Sequence, residues 1–219
     1  MFHFLSDQIC FPPVEEAAED GLLAIGGDLS TERLLLAYRN GIFPWFHEEE
    51  PPMWWSPDPR FVLFPEELRI SKSMKQILRK EQFDFRINTD FEAVIRHCKH
   101  TVRRGQNGTW ITDDIIKAYT ELHRLGYVHS AEAWMKDELA GGLYGIKMGK
   151  LFFGESMFSL QPNASKFAFI RLVQQLQQEG IVLIDCQVYT PHLESLGARM
   201  ITRKQFIAYL QQYLDEGSL

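Results

Sequence analysis

A carboxylate and a carboxamide lie two residues apart in the apolar run Ile181–Val188, as Asp185 and Gln187. Read as a strand, the run alternates, so Asp185 and Gln187 share one face and Cys186 takes the other. A carboxylate on a buried strand is costly without a partner or a task. Asp185 is therefore either an acid–base or orienting group with an amide beside it, or an Asp satisfied by backbone N–H groups. A second acid, Glu155, stands in Gly154-Glu155-Ser156-Met157-Phe158-Ser159. Alternation predicts Glu155, Met157 and Ser159 on one face, a mixed lining that suits a pocket for an apolar group and an amine. The plainer reading, a solvated strand face, is disfavoured by Met157 and the neighbouring phenylalanines.

Five tryptophans add further candidates: Trp45, Trp54, Trp55, Trp110 and Trp134. A loop indole can stack on a nucleobase, a contact of about 1–3 kcal/mol, or it can pack elements together. Trp54 and Trp134 read as packing residues; Trp45 and Trp110 fit both roles. Other chemistries find little support. Cys186 lacks a partner that would make it a thiolate nucleophile. His97, Cys98 and His100 crowd one helix without a second pair at metal-ligand spacing, so no metal is expected. Gly26-Gly27 and Gly141-Gly142 match no phosphate loop.

The elements that must position these groups follow from apolar periodicity and punctuation. Ser30 caps a predicted helix closed by Gly41. Five prolines between Pro44 and Pro59 argue against helix or central strand there, which places a domain boundary near residue 60. Beyond it a strand is predicted at Phe61–Phe64, a helix from Ser71 to about Lys80, and a strand at Phe83–Asn88. A helix then runs from Thr89 or Asp90 to about Val102, and another from Thr112 to Gly126. Strands at Val128–Lys136, Glu138–Lys147 and Leu151–Leu160 form a meander. Asn163 caps a helix ending at Gly180, Val182–Val188 is a strand, and helical patterns near His192–Leu196 and Arg203–Asp215 follow. The expected fold is mixed α/β (α+β) around one sheet.

The chain has 219 residues, 45% hydrophobic and 24% charged, enough to bury about 70% of its unfolded surface without staples. Its apolar runs fall far short of the ~20 residues that cross a bilayer, so no membrane is expected. Met1–Pro13 lacks a basic start and contains Asp7. Three widely spaced cysteines, Cys10, Cys98 and Cys186, form no disulfide framework, and the protein is expected to be cytoplasmic. The net charge of −6 argues against a general nucleic-acid binder. It conceals a split: Arg69–Arg104 holds ten Lys/Arg against Glu81, Asp84, Asp90 and Glu92. On charge alone these are solvated helix faces, although local clusters do make phosphate contacts.

Together these segments resemble the bacterial leucyl/phenylalanyl-tRNA–protein transferases. The resemblance rests on Gly21–Asp28 (GLLAIGGD), Gly41–Phe46 (GIFPWF), Trp54–Arg60 (WWSPDPR), Ile70–Met74 (ISKSM) and Gly108–Thr112 (GTWIT). It continues through Leu143–Gly145, Gly154–Ser159 (GESMFS), Asn163–Lys166 (NASK), Leu183–Val188 (LIDCQV) and Ser195–Ala198 (SLGA). The ordered set covers about residues 11–210. It implies transfer of Leu, Phe or Met from aminoacyl-tRNA to the N-terminal Arg or Lys of a protein, which marks that protein as an N-degron.

The implied fold is a small N-terminal domain, residues 1–60, and a GNAT-like acyltransferase domain, residues 61–219, acting as a monomer without cofactor. By the same resemblance, Asp185 polarises Gln187, whose side-chain carbonyl orients the attacking amine. Glu155 holds a substrate amine or the terminal adenosine, and Trp45 and Trp110 flank the terminal nucleotide. Leu143, Met157, Ser159 and Ile184 line the pocket for the transferred side chain, and Arg69–Arg104 beds the acceptor stem. Three rivals remain: an acyl-CoA-dependent GNAT enzyme, a non-catalytic tRNA- or peptide-binding module, and a cell-wall aminoacyl-tRNA ligase. The first needs a Gly-rich pyrophosphate loop after Phe158, where this chain has Leu160–Lys166 (LQPNASK).

Overall fold

The apolar patterns resolve into two sheets in the computed structural model, which describes residues 3–101 and 109–214. The first holds β1 (His3–Leu5), β2 (Leu22–Gly26), β3 (Phe43–Pro44) and β4 (Met53–Trp55) in the order β1-β2-β4-β3, with α1 (Thr31–Arg39) between β2 and β3. Ser30 caps α1 as predicted, its hydroxyl accepting the Arg33 N–H. The proline-rich stretch departs from expectation, because β4 is an interior strand of this sheet. The prolines flank Met53–Trp55 without entering it, and Pro44 lies on edge strand β3, where a missing donor costs little.

The second sheet takes its strands from β5 (Arg60–Leu63) onward. After β5 come α2 (Lys72–Arg79), β6 (Asp84–Ile87), α3 (Phe91–His100) and α4 (Asp113–Arg124). The meander follows as β7 (Val128–Met135), β8 (Glu138–Met148) and β9 (Leu151–Ser159). Then come α5 (Ala164–Gln178), β10 (Leu183–Gln187), α6 (Pro191–Ser195), β11 (Arg199–Ile201) and α7 (Arg203–Tyr213). The strand order is β11-β5-β10-β9-β8-β7-β6, and β9 with β10 is its parallel pair. The predicted elements recur at nearly the predicted places. Val102, Arg103, Arg104, Gly108 and Asp215 lie outside the described residues. Edge strand β11 was not anticipated, since three residues show no period.

Local chemistry explains two further departures. Asn163 is the N-cap residue of α5 as predicted, but at φ 69° its side chain makes no cap bond. Ser159 does that work, its Oγ accepting the Ser165 N–H at 3.2 Å. In β9 the pairing with β8 slips between Tyr144–Ser156 and Gly145–Gly154, leaving Glu155 as an extra, bulged residue. The expected common face for Glu155, Met157 and Ser159 is thereby lost. Glu155 turns to the side of Tyr38 and Tyr119, while Met157 packs on the opposite apolar cluster.

Two apolar clusters sandwich the second sheet. One joins Leu34, Tyr38 and Trp54 of the first sixty residues to Ile115, Tyr119, Tyr144 and Phe153. The other gathers Phe61, Phe152, Phe167, Phe169 and Ile184 around α5. Parallel pairing of β10 with β9 runs from Leu183–Leu151 to Asp185–Phe153 and stops, although both strands continue. The sheet therefore opens beside Glu155 and Gln187. Among the described residues no helix is long and apolar enough to cross a membrane.

Gly145, on β8 at the bulge, has no space for a side chain: a Cβ there would stand 2.3 Å from the Phe153 carbonyl oxygen and 2.5 Å from the Phe152 ring. Gly145→Ala is expected to destabilise the fold by about 1–3 kcal/mol through overpacking. In a thermal melt the Tm falls by about 2–4 °C per kcal/mol for a chain of this size; an unchanged Tm would mean that β9 has slack at its bulge.

Candidate active site

A cavity of about 330 Å³ occupies the opening between β9 and β10. Phe43, Pro44 and Trp45 wall it from the first sheet, and Trp110 from the turn before α4. Leu143, Met157, Phe169, Ile184 and Leu193 form its apolar part, and Glu155, Asp185 and Gln187 its polar edge. Of the nine residues that the resemblance assigns to the site, all but Ser159 line this cavity. Ser159 is absent from the wall because its hydroxyl is spent on α5, donating to the Gln161 carbonyl and accepting from Ser165. Trp54 and Trp134 lie elsewhere, with their indole N–H groups on the Gly26 carbonyl and on Glu132. Trp45 is held by Trp55, whose indole N–H donates to the Trp45 carbonyl at 2.7 Å.

Asp185 is fully buried, and its partner is one that alternation could not reveal. Arg60, itself 1% exposed, donates through Nε to Oδ1 at 2.8 Å and through Nη2 to Oδ2 at 2.6 Å. The guanidinium also reaches the Gly41 carbonyl and lies over the rings of Phe43 and Phe206 at 4.7 and 4.6 Å. Asp185 Oδ1 additionally accepts the backbone N–H of Gln187 at 2.9 Å. That contact stabilises Gln187 at φ 63°, just past the slip where Cys186 is the extra residue against β5. Asp185 and Gln187 do point to the same side, and Cys186 packs on the other. Asp185 thus meets Gln187 through the main chain, not through the side-chain amide.

The Gln187 side chain donates from Nε2 to Glu155 Oε1 at 3.0 Å, bridging the opened strands. Two buried phenols complete the surroundings of Glu155. The Tyr38 hydroxyl of α1 lies 2.7 Å from Oε1, and the Tyr119 hydroxyl of α4 lies 3.2 Å from Oε2. Glu155 keeps some surface toward the cavity, yet enclosure of its carboxyl is the largest influence on its proton. Burial pushes the Glu155 pKa up to about 8, Asp185 adds to the rise, and hydrogen bonds from the tyrosines and Gln187 oppose it. Burial likewise lifts both phenols well above their ordinary range and raises the Cys186 thiol, which excludes it as a thiolate nucleophile. Burial and then Lys166 hold His192 of the cavity wall below the usual imidazole value. Among the described residues no cluster of three His, Cys, Asp or Glu side chains could hold a metal ion.

Arg60, Tyr38, Tyr119, Phe169 and His192 were not found by sequence reasoning. Arg60, Tyr38 and Tyr119 are distant along the chain from the carboxylates they bind, and only Arg60, opening a strand after a Pro-rich stretch, carried a visible hint as a cation about to be buried.

Fold and site define a mixed α/β protein with an apolar-walled cavity beside an acid–amide pair. Two family models fit the chain: "Leucyl/phenylalanyl-tRNA protein transferase" over residues 62–211 and its N-terminal domain over residues 27–58. The chain belongs to the leucyl/phenylalanyl-tRNA protein transferase family. A transferase of that name from Pseudomonas fluorescens (strain Pf0-1) is 55% identical over 212 residues, covering 96% of this chain and 93% of the relative. One from Flavobacterium johnsoniae is 56% identical over 209 residues, covering 95% and 99%. One from Syntrophobacter fumaroxidans is 52% identical over 212 residues, covering 97% and 91%. Among solved structures, L-PGS from Bacillus licheniformis aligns with 78% of this chain and 57% of its own, at 12% identity and a TM-score of 0.42.

Removing either member of a buried ion pair strands the other charge, at a cost of about 3–5 kcal/mol. Urea unfolding of Arg60→Ala and Asp185→Ala is expected to show losses of that order, with the double variant losing less than the sum; additivity would mean that the two side chains act independently. Glu155 has a distinct pH signature. The folded chain keeps its proton up to about pH 8, whereas the ordinary carboxyl releases it near 4.5. Its contribution is therefore fully present below 4.5 and is lost as pH rises through that window. The urea midpoint of wild type is expected to fall with rising pH relative to Glu155→Gln; parallel curves would refute the raised pKa.

Proposed function

We propose that this chain transfers leucine or phenylalanine from aminoacyl-tRNA to the N-terminal Arg or Lys of acceptor proteins, as a cytoplasmic monomer needing no cofactor. Methionine is a further donor on this reading, and N-degron marking the outcome. The observation that carries it is the apolar cavity at the parting of β9 and β10, with Gln187 at its polar edge, in a member of this family. Leu143, Met157, Phe169 and Ile184 suit a Leu or Phe side chain and offer no polar partner, so a polar side chain would be rejected. Met157 is unbranched and adapts to either shape. The parallel pair that separates within a mixed sheet supports a GNAT-like organisation for residues 61–219, with residues 1–60 as a small N-terminal domain.

The aminoacyl ester is already activated, so aminolysis needs no covalent enzyme intermediate. An α-amine with a pKa of about 7.7–8.0 is partly neutral at cellular pH. The protein's task is to position the reactants and to steady the charge that develops during attack. Gln187 gives its amide N–H to Glu155, which leaves its carbonyl oxygen to accept an N–H of the attacking amine. Asp185 orients Gln187 through the backbone. Trp45 and Trp110, at the mouth of the cavity, are suited to the terminal nucleotide.

The basic stretch divides on inspection. Arg86, Arg96 and Lys99 are paired with Asp137, Glu92 and Asp113. Lys72, Lys75 and Arg79 of α2 and the adjoining Lys80 enter no ion pair among the described residues. This helix is the natural bed for acceptor-stem phosphates.

Radiolabelled leucine on tRNA, offered to a protein beginning with Arg and to the same protein beginning with Ala, tests the reading. Label is expected on the Arg protein alone, with Gln187→Ala lowering kcat by about 10²-fold. No label on either protein would sink it. Combined alanine substitution of Lys72, Lys75 and Arg79 is expected to raise KM for the tRNA and flatten its salt dependence; an unchanged KM would place the acceptor stem elsewhere.

A further inference from the structure

Three oxygen pairs connect Tyr38, Tyr119 and Glu155 into a closed triangle. The two phenol oxygens are 2.5 Å apart, Tyr38 Oη is 2.7 Å from Glu155 Oε1, and Tyr119 Oη is 3.2 Å from Glu155 Oε2. The two short sides each need a hydrogen, because oxygens that close without one between them oppose lone pair to lone pair, and the 3.2 Å side becomes a hydrogen bond only if a third is supplied. The phenols supply two. Both tyrosines are 0% exposed, so solvent does not supply the third. Were Glu155 ionised, two hydrogens would have to serve three contacts, and Tyr119 could hold either Tyr38 or the carboxylate but not both.

We infer that Glu155 is a neutral carboxylic acid that closes a hydrogen-bonded ring with Tyr38 and Tyr119, and that this ring fixes the Gln187 carboxamide with its oxygen toward the cavity. The carboxyl O–H is committed to the Tyr119 oxygen. Glu155 Oε1 then acts as a carbonyl, accepting from the Tyr38 hydroxyl and from Gln187 Nε2 at 3.0 Å. It has no hydrogen to offer, so a rotated Gln187 amide would place oxygen against oxygen. Gln187 keeps its nitrogen inward and its oxygen outward. Tyr38 and Tyr119 are therefore positioning residues, one from each sheet's helices.

The other groups around Glu155 agree. Asp185 on β10 is the nearby negative charge, neutralised on its far side by Arg60 of β5. Tyr144 of β8 stands edge-on to Tyr119. Burial and Asp185 both favour the protonated carboxyl, which is retained up to about pH 8.

The kinetic consequence rests on the transfer reading; the protonation itself does not. During aminolysis the amine nitrogen bonds to the ester carbonyl carbon, the carbon–oxygen bond to the ribose breaks, and one amine proton ends on the ribose oxygen. Gln187 Oε1 orients that N–H and retains no proton, so no net proton enters or leaves the site.

Infrared spectra at neutral pH test the ring directly: a carboxylic-acid C=O stretch is expected in wild type, absent in Glu155→Gln and lost on titration near the pH of about 8 given by its environment. In transfer assays Glu155→Gln retains a carbonyl for Tyr38 and Gln187 and an N–H for Tyr119. It is expected to lower kcat only about threefold, against about a hundredfold for Glu155→Ala, which takes one hydrogen-bond partner from each of Tyr38, Tyr119 and Gln187. The ratio of wild-type to Glu155→Gln activity should fall above about pH 8, and Tyr119→Phe should lower kcat about tenfold without changing KM for the tRNA. No acid band, or a Gln variant as damaged as the Ala variant, would overturn the ring and make Glu155 a working anion. If wild type transfers nothing, the transfer reading fails, and the infrared band alone decides the ring.

Discussion

The bidentate ion pair of Arg60 and Asp185 is the constraint around which the site is organised. It sits where solvent is excluded, and such a pair is tolerated only with good geometry and further hydrogen bonds. Both conditions are met. The guanidinium binds two carboxylate oxygens and a backbone carbonyl between two aromatic faces, and the carboxylate takes a backbone N–H as well. Because Arg60 begins the larger sheet, reaches Gly41 in the smaller unit and touches Phe206 of α7, one side chain links three parts of the molecule.

From that anchor the opening of the sheet follows. Asp185 is the last residue of β10 paired with β9. Its carboxylate accepts the backbone N–H of Gln187, two residues on, which stands in a left-handed conformation. Across the gap, the bulge at Glu155 sends a carboxyl toward α1 and α4. A regular sheet would have filled this space with paired backbone; two local irregularities leave an apolar cavity edged by an amide.

Much of this was legible beforehand, and the failures share a cause. Strand and helix periods located nearly every element of the larger sheet, and Asp185, Gln187, Glu155, Trp45 and Trp110 were singled out from residue type and context. Alternation misplaced Met157 and Ser159 relative to Glu155 because a bulge is a backbone event with no period of its own. Proline content concealed β4, since what matters is whether proline falls on a paired N–H. Arg60, Tyr38 and Tyr119 stayed hidden because a buried polar residue is explained by its partner, and these partners lie up to 125 positions away in the chain.

Tyr38, Phe43 and Trp45 come from the smaller sheet and its helix, and Tyr119, Glu155 and Gln187 from the larger part. The short crossing between Trp55 and Arg60 joins the two sheets, and the chain on each side of it supplies part of one chemical arrangement. Recombination between diverged homologues at that crossing would mismatch the side chains that meet in the cavity. Residues on the two sides of the crossing are thus bound to vary together where they meet.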